Sequence, residues 1–589
     1  MDRGTGRSTF LLVVALLLIF GGGLIATLVQ SDFGAVRVTE VRFAVGDGRM
    51  VHGKLFVPRN ASGSAPAPGV VAIHGYLNSH ETQSPYTIEL ARRGYVVLAI
   101  DQPGHGYSDP PAFAGGFGGL DALGYLRSLP FVDTDQIVLS GHSMGGWASL
   151  IAAAVVPDGY TSIVISGSST GTFGAPEGTP EYPRNLGLVW TQFDEFSQLM
   201  WLTPTAPEAR SGAKMRALFG TDAPIEVGRL YGSIEDGTAR MLYSPAVTHP
   251  GAHITTAGVA PVIDWVQRTT QAPFALPPSD QVWWWKEGGT AVALLGFILA
   301  LFAFAGLLLD ARAFAPLAQR SVPAAGVSGF GWWLAALIAA AVPVATYFWA
   351  NEETAKYIAP SAWFPQNITT GLMGWALLNG AISLVLVLLW YVTAGRRNSA
   401  RLDTLGLRVG GFLRAIGFAV LVVGAGYALL ALSQGLFQTD FRFWVIAVKL
   451  LSAEQLRVAL VYLLPFTAFF LVFGMVLHGQ LRPKGAAHEG ADAMIANALI
   501  AGGGFVVLLL VQYLALFSGQ PLVFADWPRP LLTIVAFQVV FLLPVAALLS
   551  TYLFERTGSV WPGAWVNGML VTWYIVAGQA TQAVPWSLF

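Results

Sequence analysis

The residue best suited to covalent chemistry is Ser143, because of the residues on either side of it. Residues 141–145 read Gly-His-Ser-Met-Gly; they follow an apolar, strand-like run at 136–140 and precede a helix-forming run at 146–154. A serine on a sharp turn between a strand and a helix has an exposed hydroxyl, and the positive start of the helix faces any oxyanion formed there. We therefore predict that Ser143 is a catalytic nucleophile.

A second copy of the same pattern lies at 167–171 and is centred on Ser169. It also follows a strand-like run, at 162–165, but it leads into a segment with glycine and proline at 172–178 that cannot begin a helix. The surrounding elements, and not the pentapeptide itself, decide whether the serine is a nucleophile. We predict that this second copy is a loop.

The residues around Ser143 alternate between strand-like and helical patterns. Residues 36–57 read as a β-hairpin, and the apolar runs at 69–73 and 95–100 are typical of strands buried on both faces. The helical runs lie at 86–93 and 117–129. Such alternation requires right-handed crossovers, so it predicts an α/β fold with a doubly wound, mostly parallel sheet.

Three motifs in this order resemble those of the α/β-hydrolase superfamily, in particular its esterases, lipases and serine aminopeptidases. They are His74-Gly75 at a strand end, the loop at 101–108 and the turn at 141–146. The resemblance covers about residues 35–270. It implies the α/β-hydrolase fold and a triad in the chain order serine, acid, histidine. The backbone N–H groups of Met144 and Tyr76 would then form the oxyanion hole.

The acid of that triad follows a later strand in the superfamily. Residues 185–190 form a strand-like run that leads to Asp194, although Thr191 stands where glycine would be usual. The resemblance therefore implies Asp194 as the acid, with the neighbouring Glu195 as the next candidate. Two further candidates are Asp222, which follows a helical run, and Asp236, which reads as part of a hairpin turn.

The histidine of the triad should lie between the last strand and the last helix. The last strand-like run is at 239–243 and the last helical run at 259–269, and His249 and His253 lie between them. His249 directly follows the strand end, so we predict that it is the base, with His253 as the second candidate. A metal site formed by these two histidines lacks any nearby carboxylate pattern, and we expect neither a metal nor a cofactor.

Composition divides the chain into a part rich in polar residues and a part that is strongly apolar. Overall, 54% of residues are hydrophobic and 11% are charged, less than half the usual charged fraction of about 25%. An apolar segment at 10–29 follows Arg3 and Arg7, and we predict an uncleaved anchor rather than a signal peptide. The other predicted spans lie at 290–309, 330–350, 368–393, 412–432, 458–477, 493–517, 531–553 and 561–580.

These patterns predict four regions. Residues 1–34 form a cytoplasmic tip and transmembrane anchor, and 35–270 form the α/β-hydrolase domain. Residues 271–289 form a linker with an interfacial segment, whose tryptophans at 283–285 suit a membrane interface. Residues 290–589 form an all-α domain of about eight transmembrane helices. The segment 441–452 is apolar but too short to span and contains two cations, so we predict that it lies in the interface or leads into the next span.

Arginine and lysine placement predicts the orientation in the membrane, because cytoplasmic loops carry an excess of these residues. With a cytoplasmic N-terminus, twelve of them lie on the cytoplasmic side and five in the outer short loops. The first group is Arg3, Arg7, Arg312, Arg320, Arg396, Arg397, Arg401, Arg408, Arg414, Arg482, Lys484 and Arg556; the second is Lys356, Arg442, Lys449, Arg457 and Arg529. We therefore expect an integral protein of the cell membrane with the α/β domain outside the cytoplasm.

The sequence excludes some functions and favours others. The net charge of −1 gives no support for a nucleic-acid partner, and the absence of cysteine excludes disulfides, thiolate zinc sites and a cysteine nucleophile. We predict a serine hydrolase that cleaves an ester, thioester or amide of a small-molecule, lipid or peptide substrate through an acyl-enzyme. The competing hypotheses are an acyltransferase with the same nucleophile, or a transporter or scaffold with a hydrolase-like domain. The predicted spans carry almost no charge, so we interpret them as an anchor or a lipid-contacting platform.

Overall fold

The computed structural model describes residues 3–319, 323–407, 410–484 and 489–586. Arg320 and Arg408, which contribute to the predicted orientation, lie outside these residues. The strands are β1 (Val36–Ala44), β2 (Met50–Pro58), β3 (Ala67–Ile73), β4 (Val96–Ile100), β5 (Val132–His142), β6 (Ser162–Ser166), β7 (Leu186–Val189), β8 (Leu230–Tyr231), β9 (Arg240–Tyr243), β10 (Phe441–Phe443) and β11 (Ile446–Val448).

The helices fall into two groups, those of the α/β domain and those that are long and apolar. The first group is α2 (Ser84–Arg92), α3 (Gly119–Arg127), α4 (Met144–Val155), α5 (Ser197–Trp201), α6 (Ala213–Phe219) and α7 (Thr256–Thr269). The second is α1 (Arg3–Gln30), α8 (Trp283–Asp310), α9 (Phe330–Ala345), α10 (Tyr347–Tyr357), α11 (Asn367–Trp390), α12 (Phe412–Phe437), α13 (Ala453–Met475), α14 (Gly490–Phe517), α15 (Arg529–Thr557) and α16 (Trp561–Gly578).

The first half of the chain is built on one sheet. Within the described residues it has nine strands in the order β1-β2-β4-β3-β5-β6-β7-β9-β8. Neighbours from β4 through to β9 pair in parallel, while β1, β2 and β8 add antiparallel pairs at the two edges. The predicted α/β fold with a mostly parallel sheet and an N-terminal hairpin is therefore confirmed.

The central strands are apolar throughout because helices cover both faces of the sheet. Every residue of β3 and β4 is buried. Side chains alternate along a strand, so Val70 and Ala72 pack with α2 and α7 on one face, while Val71 and Ile73 pack with α3 and α4 on the other. Two separate hydrophobic cores thus fix the positions of the parallel strands. The loops with the candidate residues begin at the carboxyl ends of these strands.

The second half of the chain is a bundle of long apolar helices. Of the helices in the described residues, seven are long and apolar enough to cross a membrane, and α9 with α10 forms an eighth candidate that is bent by 43°. The seven helices are α1, at the predicted anchor, and six helices that match other predicted spans, namely α8, α11, α12, α13, α14 and α15. The span predicted at 330–350 is the bent pair. α16 occupies the span predicted at 561–580, but it has only 18 residues and is buried on nearly all sides within the bundle.

Two segments that we predict at the membrane interface make contacts within the protein. Residues 441–452 contain the hairpin β10–β11, and Arg442 is buried because it forms an ion pair with Asp440 at 2.7 Å. In the tryptophan run at 283–285, Trp283 is buried in the core beside α7, while Trp284 and Trp285 are exposed. The buried members of both segments therefore have partners within the protein, and the interfacial position of the segments stays a prediction.

The helix bundle packs against the sheet domain through one of its ends. Thr581, after α16, exchanges backbone hydrogen bonds with Gly104 and Ala112 of the sheet domain. The Gln438 carbonyl, after α12, accepts from Lys54 of β2 at 2.8 Å. Trp444 donates its indole N–H to the Pro250 carbonyl at 3.2 Å. Loops at this end of the bundle therefore cover the edge of the sheet from which the candidate catalytic loops emerge.

Candidate active site

Ser143 stands on the predicted sharp turn between β5 and α4. Its backbone has φ 54° and ψ −122°, which a residue with a side chain adopts only under constraint from its surroundings. Two glycines make the turn feasible: a Cβ on Gly141 would lie 2.1 Å from the Gly145 carbonyl oxygen, and one on Gly145 would lie 2.1 Å from that of Ile73. The strand, turn and helix around Ser143 thus match the local structure that the sequence predicts.

Asp194 and His249 meet after the carboxyl ends of β7 and β9. His249 Nδ1 lies 3.0 Å from Asp194 Oδ2, and both side chains are buried. A β-bridge between Phe193 and Thr248 aligns their two loops. A neutral imidazole whose Nδ1–H donates to a carboxylate has an unprotonated Nε2, which is the tautomer a general base requires.

Further hydrogen bonds fix the Asp194 carboxylate. The Thr191 hydroxyl donates to Asp194 Oδ2 at 3.1 Å, and the Phe196 N–H donates to Oδ1 at 3.0 Å. Thr191, the residue at which the sequence departs from the superfamily pattern, therefore holds the carboxylate in place. Burial alone lowers the pKa of His249, but the adjacent Asp194 outweighs it, so the pKa is raised above the usual 6.5.

Glu195, the second candidate acid, contacts the histidine differently. Its Oε2 accepts the backbone N–H of His249 at 2.8 Å, and its Oε1 accepts the hydroxyl of Tyr513 from helix α14 at 2.7 Å. Burial, together with the Asp194 charge, raises the pKa of Glu195 to about 7. Because Glu195 binds the backbone and not the imidazole, it positions the histidine loop. Asp222 and Asp236, the two remaining candidate acids, are exposed on the surface.

His253, the second candidate base, lies one helical turn beyond His249. Its ring is 4.7 Å from that of His142, and neither of its ring nitrogens has a hydrogen-bond partner among the described residues. Burial, and secondarily His249, lowers the pKa of His253 to about 3, so its ring is neutral. The structure brings Asp194 to His249 and leaves His253 without a carboxylate.

Ser143, His249, Met144 and Tyr76 line a common cavity of about 860 Å³. Met144 is the first residue of α4, so its N–H has no partner within the helix. The turn before Tyr76 packs closely on the nucleophile, since a Cβ on Gly75 would lie 3.0 Å from Ser143 Cβ. Within the described part of the chain no hydrogen bond joins Ser143 to His249, and such bonds often tighten only when substrate binds.

The sequence did not indicate the wall of this cavity that lies opposite the sheet. Helices α10, α11 and α15 and the turn before α15 supply it, and Gln582, after α16, donates to the Tyr76 hydroxyl at 2.7 Å. The loop at 167–183, which contains the second serine motif, has no helix. Ser169 lies in it, buried, with its hydroxyl 2.8 Å from that of Thr172.

A buried group near the loop at 101–108 has atoms suited to a metal. Among the described residues, potential ligand atoms of His52, His80 and Asp101 lie within 4.8 Å of one another. Each imidazole Nδ1 is 2.9 Å from a different Asp101 oxygen, and these oxygens also accept backbone N–H groups. Burial lowers the pKa of His52, but Asp101 and Glu40 raise it to about 9. Hydrogen bonds between cation and carboxylate account for the group, and they shape the loop.

Comparison with known proteins agrees with the geometry. Residues 68–218 match the family model described as the alpha/beta hydrolase fold. The matched region runs from β3 through the Ser143 turn to α6. The part of the chain built on the nine-stranded sheet therefore contains an α/β-hydrolase domain. The helix bundle follows the hydrolase domain and lies outside the matched residues.

The similar proteins include hydrolases and peptidases. A 2-(acetamidomethylene)succinate hydrolase of Mesorhizobium japonicum is 32% identical over 114 residues, which cover 19% of this chain and 39% of the relative. Dipeptidyl aminopeptidase BIII of Pseudoxanthomonas mexicana is 28% identical over 137 residues, covering 20% of each. A solved thioesterase domain from the curacin biosynthetic pathway is 15% identical over 38% of this chain and 98% of that chain, with a TM-score of 0.27. The chain spans less than half the length of these two curated relatives.

Proposed function

We propose that the protein is a membrane-anchored serine hydrolase that cleaves an ester, thioester or amide through Ser143, His249 and Asp194. The observation that carries this proposal is the 3.0 Å contact between Asp194 and His249 in the cavity that Ser143 also lines. The family match and the hydrolase and peptidase relatives support hydrolysis as the reaction class. The role of each side chain follows from its place in this arrangement.

The reaction proceeds in two halves. His249 Nε2 takes the proton of the Ser143 hydroxyl as Oγ attacks the substrate carbonyl carbon, and the oxyanion accepts hydrogen bonds from the backbone N–H groups of Met144 and Tyr76. The imidazolium then gives that proton to the leaving alcohol, thiol or amine, which leaves an acyl-Ser143. Water, deprotonated by His249, attacks the acyl group and releases the acid. Asp194 stabilises the imidazolium and keeps its ring oriented.

The proposal places the hydrolase domain outside the cytoplasm. The twelve-to-five distribution of arginine and lysine supports this orientation. The hydrolase domain contacts the loops after α12 and α16, the end of α14 and the turn before α15, and these belong to the side with fewer cations. The helices thereby hold the domain at the outer surface of the membrane.

The experiment measures ester hydrolysis by the purified full-length protein and by His249→Ala, Asp194→Asn and His253→Ala. We expect the first two variants to lose orders of magnitude in kcat, because members of a triad act as a unit. His253→Ala leaves the contact between Asp194 and His249 in place, so its kcat should fall far less. Full activity in His249→Ala contradicts the proposal. The products distinguish an acyltransferase: a hydrolase releases free acid with an acyl acceptor present, whereas a transferase forms the acylated acceptor.

A further inference from the structure

The cavity beside Ser143 extends into the helix bundle. Its far wall includes Leu531, Val535 and Gln538 of α15, and Ile368 of α11. Gln538 is nine residues from the start of α15 at Arg529, which corresponds to about 13 Å along the axis at 1.5 Å per residue. At about 860 Å³, the volume lies near the upper end of the range of about 300–1,000 Å³ for small-molecule sites. The space is therefore elongated and reaches past the polar ends of the helices.

The walls of this cavity are mostly apolar. On the bundle side the lining includes aliphatic residues, which are Ile368, Leu531, Leu532, Ile534 and Val535. The charged residues among the described lining, apart from the histidines, are Glu352 and Lys356, and each is already paired. Glu352 binds Arg529 at 2.6 Å and Lys356 binds Glu353 at 2.5 Å. The lining thus offers no unpaired cation or anion to a charged substrate, and it favours an apolar one.

Exposed aromatic residues surround the cavity at the junction of the two domains. Phe113 and Phe173 of the hydrolase domain and Trp527, just before α15, line the cavity and are 44%, 52% and 51% exposed. The rings of Phe173 and Trp527 are 6.3 Å apart. Of these rings the Trp527 indole is amphipathic, and an exposed tryptophan at the start of a membrane helix is typical of the level of the lipid headgroups. This position suits an amphiphile whose polar linkage lies at the same level.

We propose that the substrate is a membrane-resident amphiphile with a long acyl chain. Its ester, thioester or amide carbonyl lies at Ser143 and its chain extends along α15 to Val535. This assignment rests on the proposed function, because it needs Ser143 as the nucleophile. The helix bundle then supplies the acyl-binding half of the active site as well as the anchor. Binding of the chain releases ordered water from apolar walls, and the gain grows with each methylene buried.

The test measures kcat/KM for p-nitrophenyl acetate, butyrate, octanoate and dodecanoate with the full-length protein in lipid nanodiscs. We expect kcat/KM to rise by about tenfold or more from acetate to dodecanoate, because the added methylenes are buried. A profile that is flat or falls with chain length overturns the assignment. Turnover that survives Ser143→Ala contradicts the proposed function instead, so the two failures are distinguishable.

A pair of variants locates the chain. Val535→Phe adds volume at the deep end of the cavity, and Val540→Phe makes the same change on α15 outside the cavity lining. We expect Val535→Phe to lower kcat/KM for dodecanoate about tenfold while acetate stays within about threefold, and Val540→Phe to preserve the wild-type profile. Equal effects of Val535→Phe on both esters, with labelling by a short ethyl fluorophosphonate retained, overturn the assignment. If Val535→Phe also loses labelling, its active site is disturbed. The chain-length profile of the wild-type protein then decides whether the acyl-chain assignment stands.

Discussion

Tyr513 of helix α14 donates its hydroxyl to Glu195 at 2.7 Å, and the same carboxylate accepts the backbone N–H of His249 at 2.8 Å. Glu195 therefore links a helix of the bundle to the backbone of the proposed base. Both oxygens of this buried side chain are used, and the bond between Tyr513 and Glu195 joins residues that are 318 positions apart in the chain. The helix bundle is thus part of the structure that positions His249, the proposed base.

Loss of the Tyr513 hydroxyl should reduce turnover. Tyr513→Phe leaves Glu195 Oε1 buried without its donor, which costs about 1–3 kcal/mol and loosens the loop that carries His249. We expect kcat to fall about fivefold or more with little change in KM, because the substrate does not contact Tyr513. Tyr552→Phe, which removes a membrane-helix hydroxyl bonded to the Phe302 carbonyl, is the matched control and should keep wild-type kcat. Equal kcat in Tyr513→Phe and wild type contradicts the link.

The pH dependence of kcat/KM should report the ionisation of His249. A base must be neutral, so activity is absent at low pH and rises as pH passes through the His249 pKa, which Asp194 raises above 6.5. In Asp194→Asn the raising charge is gone and burial remains, so the pKa falls and the residual activity rises at a lower pH. Stopped assays of both proteins from pH 5 to 10 measure the two midpoints. A midpoint that does not move, or moves upward, contradicts the assigned pair.

The buried ion pair between the domains should stabilise the whole protein. Lys286 of α8 binds Glu81 at 2.9 Å, and Lys54 binds the other oxygen of the same carboxylate. Lys286→Met removes one of these buried cations, and breaking such a pair costs about 3–5 kcal/mol. We expect a clearly lower midpoint of thermal unfolding, measured by intrinsic fluorescence. Arg229→Met, in an exposed pair with Glu226, should leave the midpoint unchanged.

Single cysteines should establish the orientation, and the natural absence of cysteine removes background labelling. A cysteine in the 59–64 loop of the hydrolase domain should react with an impermeant maleimide in intact cells. One in the 396–401 loop, at the opposite end of the bundle, should react only after lysis. The reverse pattern means that the hydrolase domain faces the cytoplasm.

Local patterns predicted the turn that carries Ser143 and the fold, because both depend on short stretches of sequence. The glycines around Ser143 and the alternating strands are visible within a few residues. Asp194 and His249 required the superfamily order of elements, since 55 residues separate them and only the sheet brings them together. Asp440, two residues before Arg442, was a signal within the sequence that the hairpin segment carries its own ion pair.

Contacts between the two halves of the chain could not be predicted from the sequence. The cavity wall formed by α15 and the hydrogen bond from Tyr513 depend on how the bundle packs against the hydrolase domain. An apolar side chain that lines the cavity and one that lies outside it give the same sequence pattern, as Val535 and Val540 show. The part of the bundle in the cavity wall therefore becomes visible only in three dimensions.

Fluorophosphonate labelling followed by peptide mass mapping identifies the nucleophile itself, because only an activated serine reacts. We expect one phosphonylated residue, Ser143, in the full-length protein. We further expect no labelling of Ser143→Ala and normal labelling of Ser169→Ala, whose target serine is buried in a loop without a base. Labelling that persists in Ser143→Ala, or an adduct on Ser169, would contradict the account.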